Sequence, residues 1–143
     1  MTAFSHSILG GDYERAGSAT AALKDLLKSI GVDAESTRRA IIAAYEAELN
    51  VVIHAHRGTL RANILDHRLD VEVADEGPGI ADIAVAMQPG FSTAPESARS
   101  LGFGAGLGLP NIERHADVFC LESSPGIGCQ LRFSVHFSTG EPL

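Results

Sequence analysis

The chain has 143 residues, 45% of them hydrophobic, and its 18 acidic against 11 basic side chains give a net charge of −7. This length suits one globular domain, so residues 1–143 are predicted to form a single domain, and the acidic charge argues against nucleic acid as a partner. The N-terminus lacks a leader pattern and no stretch reaches the roughly 18 apolar residues of a membrane span, so we expect a cytoplasmic protein without membrane contact.

The first part of the chain predicts one strand followed by two helices. Residues 3–9 alternate apolar and polar side chains, as a strand does, and end at Gly10-Gly11. Asp12 and Asp33 are predicted N-caps of helices that run over about 13–29 and to about His54. The predicted core-facing stripes are Ala16, Ala19, Leu23, Leu26, Leu27 and Ile30 on the first helix, and Ile41, Ile42, Tyr45, Leu49, Val52 and Ile53 on the second.

The second part predicts two hairpins separated by a long loop. In order, the pattern predicts strands 59–65 and 68–75, a helix at about 81–87, a loop over 88–106, a helix at about 107–116 and a hairpin over 117–137 that turns at Pro125-Gly126. Antiparallel hairpins with interposed helices predict an α+β fold. We expect a two-layer sandwich in which one mixed, mostly antiparallel sheet is covered by helices on one face.

The densest feature of the sequence is a run of glycines at alternate positions, Gly102, Gly104, Gly106 and Gly108. A P-loop would end in Gly-Lys-Ser/Thr, but the only lysines lie in the first helix. The dinucleotide fingerprint fails as well, because a leucine stands where its third glycine is needed and a loop precedes the run. Glycines that lead into a helix N-terminus can bind a polyphosphate, or they can simply be hinges of a flexible loop.

Three polar side chains stand near predicted element ends. Glu46 and Asn50 are four residues apart and project from one helix face, which is also the pattern of a solvated helix edge. Asp75 follows a predicted strand and precedes the tight turn Gly77-Pro78-Gly79, which by itself is compatible with an ordinary turn.

Neither the cysteines nor the histidines predict a metal site. Cys120 and Cys129 lie in apolar, strand-like sequence and are expected to be reduced core thiols. A spacing of two puts the rings of His54 and His56 on different helix faces, so a solvated or helix-capping role is favoured.

The order of these motifs along the chain is more specific than any one of them alone. E-x-x-x-N on a helix, D-x-G-x-G-I after a strand, a long loop and G-x-G-x-G-L-G-L opening a helix resemble the N, G1 and G2 boxes of the GHKL (Bergerat-fold) ATPases. Within that superfamily, "DEGPGIADI", "PGFST", "GLGLPNI" and "PGIGC" look most like the small anti-sigma-factor, or switch-protein, serine/threonine kinases. The resemblance covers about residues 33–137 and implies the histidine-kinase-like ATPase fold.

The resemblance implies a role for each matched residue. Glu46 would be the catalytic general base, Asn50 would supply an oxygen to Mg²⁺, and Asp75 would accept a hydrogen bond from the amino group of adenine. The glycine run would donate N–H groups to the phosphates of ATP. The implied ATP-binding set is Asn50, Asp75, Gly77, Gly79, Ile80, Gly102, Gly104, Ala105, Gly106, Leu107, Gly108 and Leu109.

Two departures from the family pattern complicate this transfer of roles, and the role of one loop residue stays open. The family commonly has threonine after the last hairpin glycine, where this chain has Cys129, and a thiol is a poorer hydrogen-bonding group. The loop "TAPESARSLGFG" is longer than the compact lids of the kinase branch. Arg99 in this loop is either a clamp for the γ-phosphate or a plain solvated residue.

The resemblance implies a kinase that transfers phosphate from Mg-ATP to a serine or threonine of a STAS-type antagonist protein, with a sigma factor as a further partner and a homodimer left open. The alternative is a non-catalytic, ATP-gated anti-sigma module that sequesters a regulatory partner. A fragment of a two-component sensor kinase is disfavoured, because only about 30 residues precede the second helix and leave little room for a dimerisation domain.

Overall fold

The computed structural model describes residues 1–80, 87–88 and 108–138. The elements are β1 (Thr2–Leu9), a 3₁₀ turn (Tyr13–Arg15), α1 (Ser18–Ile30), α2 (Ala34–His54), β2 (Arg57–Ile64), β3 (Arg68–Glu76), α3 (Gly108–His115), β4 (Val118–Ser124) and β5 (Gly128–His136). Both predicted hairpins are present, and the described elements follow the predicted order. The predicted helix at 81–87 and loop over 88–106 lie outside the described residues, apart from 87–88.

The strands form one five-stranded sheet in the order β1-β2-β3-β5-β4, and each pair of neighbours is antiparallel. Alternate side chains of its inner strands are buried beneath the helices, namely Leu60, Ala62, Ile64, Leu69, Val71, Val73, Leu131, Phe133 and Val135. The other face carries charged residues such as Arg61, Glu72 and Arg132. This is the two-layer α+β sandwich expected from the sequence, with helices on one face.

The second helix begins as predicted but buries a different face. Asp33 is its N-cap, and its carboxylate accepts a hydrogen bond from the Ser36 N–H at 2.9 Å. The buried side chains of α2 are mostly small: Ser36, Thr37, Ala40, Ala43, Ala44, Ala47, Glu48, Val51 and Val52. Of the predicted stripe only Val52 is buried, whereas Tyr45 is 36% exposed. The buried face of α2 carries small side chains because α2 packs against the sheet, α1 and α3 at once. Such close approach of a helix to several elements leaves no room for large side chains.

The first helix starts later than predicted. Asp12 precedes only the 3₁₀ turn, and α1 begins at Ser18, after Gly17 in a left-handed conformation (φ +98°). The buried carboxylate of Glu48, from the middle of α2, accepts hydrogen bonds from the N–H groups of Gly17, Ala19 and Thr20 at 2.9–3.2 Å. A cap that comes from another helix has no local sequence signature, which explains the error.

Candidate functional site

Glu46 lies on α2 beside the first residue of α3. Its Oε1 is 3.3 Å from the position that a Cβ would occupy on Gly108, so a side chain at 108 would crowd the carboxylate. Burial raises the pKa of Glu46, while hydrogen bonding from the Asn111 side chain and the charge of His115 act in the opposite direction. A half-buried carboxylate with a raised pKa is suited to accept a proton.

Asn50 and His54 continue the same face of α2, one and two turns beyond Glu46. Asn50 is half-buried, and its side-chain amide makes no hydrogen bond to another described residue. His54 is half-buried rather than solvated, and burial lowers its pKa. The C-terminal end of this face reaches the turn after β3, because a Cβ on Gly77 would lie 3.4 Å from the His54 carbonyl oxygen.

Asp75 lies near the end of β3, half-buried against the start of β5. Its Oδ1 accepts a hydrogen bond from the Cys129 N–H at 3.0 Å. Burial raises the pKa of Asp75, and this hydrogen bond partly offsets the effect. Gly128 has to be glycine, since its φ is +155° and a Cβ there would collide with the Asp75 carbonyl oxygen.

The turn that follows β3 is attached to the β4–β5 hairpin by main-chain hydrogen bonds. Gly77 N–H donates to the Ile127 carbonyl at 2.9 Å, and Gly126 N–H donates to the Pro78 carbonyl at 2.7 Å. Gly79 has φ +74°, and a Cβ on it would lie 2.8 Å from the Ser124 carbonyl oxygen. The Gly77-Pro78-Gly79 turn is therefore held in one orientation next to Asp75.

Ser123 links Ile80 to the cysteine that replaces the family's usual threonine. The Ser123 hydroxyl oxygen accepts a hydrogen bond from Ile80 N–H at 2.6 Å and contacts the Cys129 Sγ at 3.7 Å. Burial raises the pKa of the Cys129 thiol. Cys129 is buried as predicted, but Cys120 is exposed, which makes the expectation of two core thiols wrong for Cys120.

The glycine run is only partly described. Gly108 is the first residue of α3 and Leu109 is buried in the core. Gly102, Gly104, Ala105, Gly106 and Leu107 lie outside the described residues, and so does Arg99.

Sequence reasoning missed the polar partners Asn111 and Ser123. Neither is a catalytic residue type in a recognisable pattern, although Asn111 stands three residues after Gly108 and so shares its helix face.

In the described part of the chain no three His, Cys, Asp or Glu side chains cluster as metal ligands. A Mg²⁺ ion held mainly by phosphates and water needs few protein oxygens, and the Asn50 amide, which has no hydrogen-bond partner among the described residues, fits that limited role. Among the described helices, none has the length and apolar character to cross a membrane.

Two comparisons of sequence bear on this site. The model of the family described as histidine kinase-like ATPase domain matches residues 10–135. An anti-sigma F factor of Caldanaerobacter subterraneus subsp. tengcongensis is 40% identical over 97 residues, which cover 64% of this chain and 64% of that protein. The serine/threonine-protein kinase RsbT of Bacillus subtilis is 30% identical over 113 residues, covering 76% of this chain and 79% of RsbT.

A solved structure extends the comparison to the fold. The RsbU and RsbW domains of a Mycobacterium tuberculosis protein match 98% of this chain and 34% of that one, with a TM-score of 0.67 at 16% identity. At this identity the likeness concerns the fold alone. The family match covers most of the chain and includes the residues of α2, β3 and α3 described above. The chain therefore belongs to the histidine kinase-like ATPase domain family.

Proposed function

We propose that this chain is an ATP-binding serine/threonine protein kinase of the anti-sigma type, which phosphorylates a STAS-type antagonist protein with Mg-ATP. The observation that carries the proposal is the arrangement along α2. Glu46, Asn50 and His54 form one face about 12 Å long, with the start of α3 at one end and the glycine turn at the other. An elongated nucleotide needs this arrangement, with its phosphates and its base recognised at opposite ends.

The base would lie at the glycine end. The Asp75 carboxylate can only accept hydrogen bonds when ionised, which suits the amino group of adenine and disfavours the carbonyl of guanine. Gly77 and Gly79 let this turn pack closely against Ala55 and Ser124, which would hold its main chain beside the ring. We therefore expect this site to select ATP over GTP.

The phosphates would lie at the α3 end. An N-terminal helix end preceded by glycines offers N–H donors to an anion, and Gly108 begins such a helix. Asn50 is the described residue that would hold Mg²⁺, which when bound neutralises charge on the phosphates. Glu46 would accept the proton from a serine or threonine hydroxyl as its oxygen attacks the γ-phosphorus and the bond to the β–γ bridging oxygen breaks, leaving ADP.

Relatives named anti-sigma F factor and serine/threonine-protein kinase RsbT support this function and its partners, a sigma factor and its antagonist protein. We propose that the chain acts in the cytoplasm, where both ATP and sigma factors are found. The alternative, a non-catalytic ATP-gated binding module, draws support from the relatives that are named only as anti-sigma factors.

The proposal is tested by phosphotransfer with Glu46→Gln. The wild-type chain is incubated with γ-labelled ATP, Mg²⁺ and purified STAS-domain proteins of the same genome. We expect Glu46→Gln to reduce transfer by about 100-fold or more, because the general base is lost, while affinity for ATP stays within about twofold. Glu35→Gln, an exposed glutamate on the same helix, is the matched control and should leave transfer unchanged.

One result would contradict the kinase, and another would contradict the role of Glu46. Label on no STAS-domain protein, combined with ATP-dependent capture of a sigma factor, would favour the binding module instead. Full activity in Glu46→Gln would exclude Glu46 as the base.

A further inference from the structure

The turn after β3 is joined to the β4–β5 hairpin by main-chain hydrogen bonds and by one side chain. The bonds at Gly77 and at Pro78 run from main chain to main chain, so they do not depend on which side chains are present. A further bond runs from Ile80 N–H to the hydroxyl oxygen of Ser123 at 2.6 Å. Among the described residues, Ser123 is therefore the side chain through which the sequence controls this junction.

Ser123 also lies next to the group that holds Asp75. It stands directly opposite Cys129 in the pairing of β4 with β5, and the Cys129 N–H donates to Asp75 Oδ1 at 3.0 Å. The Ser123 hydroxyl is 3.7 Å from the Cys129 Sγ, and because a thiol is a weak hydrogen-bonding group, Ile80 N–H is its stronger partner. One cross-strand pair thus contacts both the Asp75 carboxylate and the end of the turn.

The close approach of the turn to Ser123 requires glycine at position 79. Gly79 has φ +74°, and a Cβ on it would lie 2.9 Å from the Ser123 hydroxyl oxygen. A side chain there would push the turn away from β4 and would lengthen the bond between Ile80 and Ser123. The missing side chain and the serine hydroxyl therefore act together to keep the turn against the hairpin.

We propose that Ser123 is a positioning residue for the end of the site at which the base of ATP would lie. Its hydroxyl fixes the main chain of Gly79 and Ile80 beside Asp75 before the nucleotide binds. This inference rests on the proposed function, since it concerns the adenine end of that site. A turn that is already held in one position loses less conformational entropy when a ligand binds, and the affinity is higher for that reason.

The test compares Ser123→Ala, which removes the hydroxyl, with Ser123→Thr, which keeps it. In calorimetric titrations we expect Ser123→Ala to bind ATP about 3- to 20-fold more weakly than wild type, and Ser123→Thr to recover most of the affinity. In phosphotransfer the KM for ATP should rise by a similar factor in Ser123→Ala. The value of kcat should stay within about twofold, because Glu46 would lie at the opposite end of the nucleotide.

Two other serine variants are the controls. Ser124→Ala changes the neighbouring serine, which is exposed on the other face of β4, and should bind ATP as wild type does. Ser134→Ala removes a serine hydrogen bond of 2.7 Å to Asp70 on the open face of the sheet, so it controls for a general loss of stability. Its ATP affinity should stay within about twofold of wild type at whatever melting temperature it has.

A second measurement needs no nucleotide. Hydrogen exchange of the Ile80 amide, followed by NMR, should be faster in Ser123→Ala than in wild type, Ser124→Ala and Ser123→Thr. Unchanged exchange in Ser123→Ala overturns the proposal, because the hydroxyl then does not hold the turn. If wild type binds ATP and Ser123→Ala binds it equally well, the positioning role is overturned while the ATP site stands. If wild type binds no ATP, the proposed function fails and this inference fails with it, whatever the exchange of Ile80.

Discussion

At the scale of single residues, the two carboxylate oxygens of Asp75 differ in their hydrogen bonding. One of its oxygens accepts the Cys129 N–H, and the other accepts no hydrogen bond from a described residue. Burial raises the pKa of Asp75, and a ligand that donates a hydrogen bond to the second oxygen would stabilise the ionised carboxylate. This asymmetry is the physical basis for proposing adenine recognition here.

Asp75→Asn should weaken ATP binding by about 1–3 kcal/mol, or roughly 5- to 150-fold. The new amide must keep its oxygen towards the Cys129 N–H, so it presents NH₂ to the amino group of adenine, a donor facing a donor. The preference for ATP over GTP should narrow for the same reason. Calorimetric titration with both nucleotides measures this, with Asp70→Asn on the opposite face of β3 as the control. An unchanged ATP affinity would remove Asp75 from the adenine site.

At the scale of elements, Glu48 determines where α1 begins. Its carboxylate is 1% exposed and accepts three main-chain N–H bonds at the start of α1, together with the Thr20 hydroxyl at 2.7 Å. A negative charge at this end also interacts favourably with the helix dipole. The cap joins α1 to the middle of α2, two residues beyond Glu46, and so couples the first helix to the helix that carries the site.

Glu48→Gln should lower the free energy of unfolding by about 1–3 kcal/mol, because an NH₂ group then faces main-chain donors in a buried position. Glu48→Ala should cost at least as much, since every donor loses its acceptor. Urea denaturation measures both, and a lower midpoint with an unchanged m-value is the expected result. Glu35→Gln removes only a negative charge and an ion pair at the exposed start of α2, so it should lower the midpoint much less. A wild-type midpoint in Glu48→Gln would show that the cap does not contribute to stability.

At the scale of the whole molecule, the charged side chains on the two sides of the sheet differ in pairing and in burial. On the open face charged groups pair with one another, as Glu72 does with Arg132 at 3.0 Å and Asp70 with Arg68 at 3.1 Å. On the helix face Glu46 and Asp75 are half-buried with raised pKa values. Exposed pairs contribute little to stability, whereas a half-buried carboxylate with a raised pKa reduces stability when it is ionised. The ionised forms of Glu46 and Asp75 are therefore expected to reduce the stability of the fold.

This predicts a pH dependence of stability with a definite sign. Because the folded pKa of Glu46 lies above its unfolded value, the folded state holds the proton more tightly, and stability falls as the pH rises through the folded pKa. Glu46→Gln removes this effect. Without nucleotide, its melting temperature should exceed that of wild type at about pH 7.5 and match it below about pH 4, where the unfolded carboxyl is also protonated. Scanning calorimetry at both pH values checks this, and a lower melting temperature for Glu46→Gln at pH 7.5 would contradict it.

Features that depend on near neighbours could be predicted from the order of amino acids alone. Hydrophobic alternation and turn residues predicted both hairpins, Asp33 was correctly identified as a cap, and the spacing of Glu46 and Asn50 placed both on one helix face. These are consequences of backbone geometry within a few residues, which the order of amino acids specifies directly.

Contacts between groups from distant parts of the chain could not be predicted and become visible in the folded structure. Glu48 caps a helix 28–31 residues before it, Ser123 holds the turn at Ile80 from 43 residues away, and α2 buries alanines rather than its larger side chains. The physical reason is that hydrogen bonds between elements and the choice of a buried face depend on how closely the elements pack. That distance is set by the side chains of both partners together, and no local periodicity encodes it.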